Sequence, residues 1–397
     1  MGHHSVWYKL FTKVLVERGY EVVGFCPAPK EIEQWADNTL GADSRKSCEF
    51  NYRGIRQLPS WIPERFRRRV SSAVQYLTLV RALKRWEKTE QREIDLVFFA
   101  CIYDYHFEYF SDVARFFRFP VSGLYLHCRS IRMPGSPVPQ NGFLPCLEEF
   151  WGHEPFRSLA VLDEGAKADV KKLGGGRPVI WMPDVATVDL PTRDGAGIAV
   201  KLSRYSLGEP IVLLTGQIQP TKGTELFCEV AERFEGEKVC FGIIGDVIWS
   251  LFTAGLQEEL RCISERSSNT FTHFARIPDE ADINACIAES DVIFAAYQSF
   301  PNSSNILSKA AQFHKPVIVS DGYLMAERVR KFRLGIVIPE GDADAGEKAV
   351  RELSGDTGSW IHENNPDWEG YLAEHSEKRL SEAFAELVDG SLKRADS

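Results

Sequence analysis

The chain reads as an α/β protein of two doubly wound, Rossmann-like domains with an interdomain cleft. Three observations predict it. Short apolar runs alternate with helical patterns along most of the 397 residues, which implies parallel sheets covered by helices on both faces. The alternation lapses over residues 184–198, where Pro, Gly, Asp and Thr gather into the composition of a linker. A chain of 397 residues also suits two hydrophobic cores better than one.

The elements follow in order. Residues 5–18 place Val6, Leu10, Phe11, Val14 and Leu15 at helical spacing, and Gly19 ends that helix. Residues 21–25 (EVVGF) form the first strand candidate, followed by 95–100, 121–127, 159–162 and 179–182. These make a first domain, 1–190. It opens on a helix where a doubly wound domain opens on a strand, so either the sheet is one strand short or a strand lies upstream. Beyond the linker, strands are predicted at 210–215, 239–244, 269–274, 291–295, 316–320 and 335–338, with helices between. They define a second domain, 200–367. Residues 368–397 read as a helical tail.

Bulk properties narrow the function. With 44% apolar and 26% charged residues the chain is a folded globular protein. A net charge of −9 argues against nucleic acid as partner. No apolar run reaches the roughly 18 residues of a membrane span, and the first residues lack the apolar region of a signal peptide. Nine scattered cysteines without a C-x-x-C pair fit a reducing cytoplasm.

Two stretches carry the chemistry. GQIQPTKG, residues 216–223, ends one strand and leads into a helix. PNSSNILSKAAQFHKPVIVSDG, residues 301–322, follows another strand and contains a helix and the next strand. A helix start offers free N–H groups and a positive dipole end, a place for phosphate. Two such stretches in one half-chain imply a nucleoside-diphosphate site. The first is not a P-loop, since Lys222 precedes Gly223 instead of a Ser or Thr.

GQIQPTKG resembles the G-R-x-x-x-x-K-G motif that opens the C-terminal domain of family 4 glycosyltransferases, which have the GT-B fold. Lys222 is retained and Gln217 stands where that family has Arg. Downstream, Ala310, Ala311, Pro316 and Val317 fit the family's Ala-rich helix and Pro-Val, while Pro301 and Lys309 replace its two glutamates. The resemblance implies a donor diphosphate held by Gly216, Gln217, Lys222 and Gly223 with Ser303, Ser304 and Asn305. Ser303 is expected to be the N-cap, turning the N–H groups of Ser304 and Asn305 to the phosphate; capping without a ligand is the bland alternative. Arg276 and Ile277, in FARIP (274–278), and Lys309 fall at the base and ribose. His127 ends a strand where the family often has a His facing the donor sugar, so His127 and Lys222 are the catalytic candidates. Gly2 and His3 match the first loop, although His3 and His4 also read as a cloning remnant. Asp104 and His106 are assigned to the acceptor side.

Other patterns are set aside. Asp342-Ala343-Asp344 spells D-x-D but precedes a helix, as capping residues do. Gly174 to Gly176 lack dinucleotide-fingerprint spacing, and no Cys/His metal spacing stands out. The segment 53–92 mixes Arg65, Arg67, Arg68, Arg69, Arg81, Lys84, Arg85 and Lys88 with Trp61, Phe66, Tyr76 and Trp86. It reads equally as a solvated helix or as a surface for anionic membrane.

The resemblance therefore implies a cytoplasmic, metal-independent, retaining glycosyltransferase with no cofactor. Its donor is a nucleotide sugar and its acceptor a glycan or lipid-linked glycan, at the inner membrane face in polysaccharide or glycolipid synthesis. The missing glutamates and Arg keep a non-catalytic GT-B binding module open as an alternative. A sugar-nucleotide epimerase ranks after it, because its cleft carboxylates are not evident.

Overall fold

The computed structural model describes residues 2–52, 64–102, 117–126, 128–134, 151–191 and 197–392. The chain divides into two compact units, Met1–Pro183 with Glu377–Ser397, and Asp184–Ser376.

The first unit holds two parallel sheets. Strands β1 (Val22–Cys26) and β2 (Cys48–Tyr52) pair in one, and β3 (Val97–Phe99), β4 (Val121–Tyr125), β5 (Leu159–Val161) and β6 (Val179–Trp181) lie in sequence order in the other. β2 is not among the strands expected from sequence. Its CEFNY buries only Cys48 and Phe50, too short a pattern to stand out. Gly2 and His3 belong to the helix Gly2–Glu17, not to a glycine-rich loop. That helix rests Tyr8 on Phe50 of β2, with ring centroids 6.4 Å apart. Its Phe11 packs edge-on to Phe98 of β3 at 5.8 Å and to Phe384 at 5.1 Å.

Phe384 lies on the last helix, Glu377–Leu392, so the expected tail is split. Leu380, Ala383, Phe384 and Leu387 form a buried stripe at helical spacing. This stripe completes the first unit, where Ser391 and Ser158 share a hydroxyl contact of 2.6 Å and Lys13 pairs with Glu377 at 2.5 Å. The preceding helix, Trp368–Glu374, stays with the second unit: Trp368 stacks on His314 and Tyr371 is fully buried.

The second unit is one six-stranded parallel sheet. Its order is β12 (Gly335–Ile338), β11 (Val317–Ser320), β10 (Val292–Ala295), β7 (Ile211–Ile218), β8 (Cys240–Val247), β9 (Thr270–His273). Parallel sheets covered on both faces read as continuous apolar runs, and successive residues here feed two cores. Val212 and Leu214 enter one core, Ile211 and Leu213 the other. β7 runs through Gly216 and Gln217 to Ile218, further than expected, because β8 pairs with it along its whole length. Gly216 faces Gly245 there, and a Cβ on Gly245 would collide with the Gly216 carbonyl. Part of the expected linker belongs to this unit: Asn284 donates its amide to the carbonyls of Thr187 (3.2 Å) and Asp189 (2.8 Å).

His375 adds a pH response to this unit. It is 4% exposed, with its ring stacked 4.2 Å from that of Tyr371. Burial, then the charges of Arg328 and Lys331, push its pKa down to about 2. The unfolded chain therefore takes up a proton near pH 6.5 that the folded chain refuses. Stability is full above that value and declines as pH falls from about 6.5 toward 2, by at most about 1.4 kcal/mol per pH unit. Thermal melting of the wild type should fall more steeply between pH 7 and 4 than that of His375→Phe. Parallel curves would remove His375 as the cause.

Candidate functional site

Ligands of open parallel sheets bind beyond the carboxyl ends of the strands. In the second unit that edge is built first by the loop after β7. The chain leaves Ile218, makes a tight turn at Pro220–Lys222, and enters the helix Thr224–Arg233 through Gly223. Gly223 has φ +72°, and a Cβ there would run into the carbonyl of Ala296. Only glycine meets both demands. The Gln298 N–H donates to the Thr221 carbonyl at 2.9 Å. The loops after the neighbouring strands β7 and β10 are thus fastened together.

This fastening aims Lys222. Its ammonium lies 3.9 Å from the ring centre of Tyr297 and 5.7 Å from that of Phe300. Aromatic faces attract a cation without neutralising it, and among the described residues no carboxylate closes on Lys222. Gly216 and Gln217 are strand residues rather than loop residues, and Gln217 is exposed.

The loop after β10 differs from expectation at Ser303. Asn305, not Ser303, takes the N-cap position of the short helix Ile306–Gln312, and no side chain caps it. The Ser303 hydroxyl donates to Asp184 Oδ2 at 2.7 Å and accepts from Arg328 Nη1 at 2.6 Å. Arg328 is 1% and Asp184 4% exposed. Buried charges need partners, and Ser303 bridges these two, so its hydroxyl is committed. Ser308 adds a bond to the Asp184 carbonyl at 2.8 Å. Ser304 and Asn305 remain half-buried beside it.

Three polar atoms at this edge are buried and unpartnered: Thr215 Oγ1, Asn302 Oδ1 and Ser320 Oγ. The strand registers put Thr215 and Ser320 level with the end of β10, one strand to either side. Such groups are costly and few in folded proteins. Asn302 lies in the loop that leaves β10.

Lys309, expected at the base or ribose, is instead enclosed at 3% exposure, and its ammonium pairs with Glu280. Glu280 starts the helix Glu280–Glu289, immediately after the stretch containing Arg276 and Ile277. Arg276 is exposed and Ile277 packs on the core. The Lys309–Glu280 pair thus draws the loop after β9 to the helix after β10. In the D-x-D stretch, Asp342 caps its helix through the Ala345 N–H (2.9 Å) and Asp344 pairs with Arg233 (2.6 Å).

In the first unit, His127, Asp104 and His106 lie outside the described residues, as do residues 53–63. The helix Glu64–Glu90 turns Tyr76, Leu79, Leu83 and Trp86 into the core. Tyr76 and Trp86 are therefore not surface aromatics; Arg81, Lys84, Arg85 and Lys88 are exposed.

Residues 209–356 match the family model of glycosyl transferases group 1. Among solved structures, sucrose-phosphate synthase from Thermosynechococcus elongatus is similar with a TM-score of 0.71 at 14% identity, covering 100% of this chain and 95% of that one. HepE of Anabaena, in complex with UDP and glucose, gives 0.66 at 13%, covering 98% and 96%. WaaG, a glycosyltransferase involved in lipopolysaccharide biosynthesis, gives 0.60 at 14%, covering 98% and 96%. No curated protein matches significantly. The fold is that of the GT-B glycosyltransferases, with two Rossmann-like domains. The residues that match the family model lie within the second unit, Asp184–Ser376.

Proposed function

We propose that this protein is a glycosyltransferase moving a sugar from a nucleoside-diphosphate donor to an acceptor hydroxyl. The observation that carries the reading is Lys222, a cation aimed by two aromatic rings at the ligand-binding edge of the unit that matches the group 1 family model. Negative charge grows on the leaving diphosphate as the sugar departs. Lys222 stabilises it in place, the kind of fixed electrostatics that often supplies the largest catalytic term. No step in this scheme calls on a metal or a cofactor.

The finer reading is a retaining transfer, with His127 positioning the donor sugar and a glycan or lipid-linked glycan as acceptor. UDP is the first nucleotide to try, because HepE binds it. Among the described residues no helix is long and apolar enough to cross a membrane. The exposed Arg81, Lys84, Arg85 and Lys88 offer a basic face to anionic lipid at the inner leaflet. Polysaccharide or glycolipid synthesis is the setting this fits.

Lys309 and Gln217, where the resembling family has Glu and Arg, favour a second reading: a GT-B module that binds nucleotide without turnover. Calorimetric titration with UDP, GDP and ADP in metal-free buffer, followed by transfer assays with the matching nucleotide sugars, separates the two. Selective binding with turnover is the expected result. Binding without turnover supports the second reading, and no binding by folded protein removes both.

A further inference from the structure

We propose that Glu280 accepts the ribose hydroxyls of the bound nucleotide and that Lys309 is the positioning residue that holds it; this rests on the glycosyltransferase reading of the same edge. The Lys309 ammonium ends on Oε1 of Glu280. The lysine side chain is 3% exposed, but that of Glu280 is 36% exposed. Among the described residues Oε2 of Glu280 has no bond. The carboxylate is therefore fixed through one oxygen and open at the other.

Helix capping does not account for this arrangement. Asp279 already caps the helix, accepting from the Ala281 N–H at 3.0 Å. Glu280 is free of that duty and turns toward a buried cation 29 positions away. The pair sits between two elements that leave the ligand edge, the loop after β9 and the helix after β10. A fixed carboxylate with a free oxygen is an acceptor only, suited to hydroxyl donors. Bonds to a charged acceptor are stronger than neutral ones. A nucleoside diphosphate presents two vicinal hydroxyls on its ribose, between the base and the phosphates that Lys222 attracts. Sequence comparison alone hides this site. Position 309 carries the wrong charge for a hydroxyl acceptor, and the carboxylate that serves arrives from another helix.

The test is calorimetry on the full chain with UDP, its 2′-deoxy and 3′-deoxy forms, and inorganic pyrophosphate. Wild type, Glu280→Gln, and Glu280→Gln combined with Lys309→Met are compared. The double substitution removes both charges, so no buried ammonium is stranded if the single variant fails to fold. The wild type should prefer UDP to at least one deoxy form by about tenfold or more. Both folded variants should lose that preference while pyrophosphate affinity stays unchanged. A preference retained in the folded double variant, or absent from a wild type that binds UDP, overturns the role of Glu280 and leaves the transferase reading standing. If neither UDP nor pyrophosphate binds, the transferase reading itself fails, and this proposal with it.

Discussion

Replacing Arg328 with leucine is expected to lower the stability of the second unit by about 3–5 kcal/mol, the usual consequence of removing one member of a buried charge network. Arg328 and Asp184 are both inside the protein and reach each other's surroundings through Ser303. Without the guanidinium, the Asp184 carboxylate keeps its burial and loses a cationic neighbour. Denaturant unfolding followed by tryptophan fluorescence measures the loss; Trp249, Trp360 and Trp368 all lie in this unit. Arg328→Leu combined with Asp184→Asn should recover part of the deficit, because the stranded charge is then gone. A single variant within about 0.5 kcal/mol of wild type, the range of ordinary surface changes, would show that the network is not what holds the loop.

The second large effect is expected at Lys222. Lys222→Ala should weaken nucleoside-diphosphate binding by about ten- to a hundredfold, the scale of a hydrogen bond to a charged group. It should leave the unfolding midpoint nearly unchanged, since the ammonium forms no ion pair with a described carboxylate. Lys222→Arg should retain part of the affinity. Raising the salt concentration should erode wild-type binding more than that of the alanine variant, because the lost interaction is a charge at a half-exposed position. Equal affinities for wild type and Lys222→Ala would move the phosphate away from this loop.

The sequence was most legible where burial is most complete. All six strands of the second unit were predicted; covering on both faces leaves runs such as IVLL and VIFA with no polar interruption, while β9, TFTH, is only partly buried. β2 escaped because CEFNY is half-buried and edged by polar residues. Lys222 and Gly223 were recognisable from their resemblance to the G-R-x-x-x-x-K-G motif, and the structure supplies the reason for the glycine in the carbonyl of Ala296. Ser303 looked like a cap because capping is a local property. Its real partners lie 119 and 25 positions away, and side-chain pairing at such separations leaves no periodic trace. The pairing of Lys309 was hidden for the same reason, with Glu280 on a different helix. The division of the tail followed a similar rule. The apolar stripe of Glu377–Leu392 is visible in sequence, but the surface it covers is not.

That last helix has a consequence for how the molecule is made. Asp184–Ser376 is continuous in the chain and can condense as soon as it leaves the ribosome. The other unit cannot finish its core then, because Phe11 and Phe98 still lack Phe384. The half translated first is thus the half completed last. During synthesis it carries uncovered aromatic surface for the time needed to translate the whole of its neighbour, the interval in which a growing chain has most need of a chaperone.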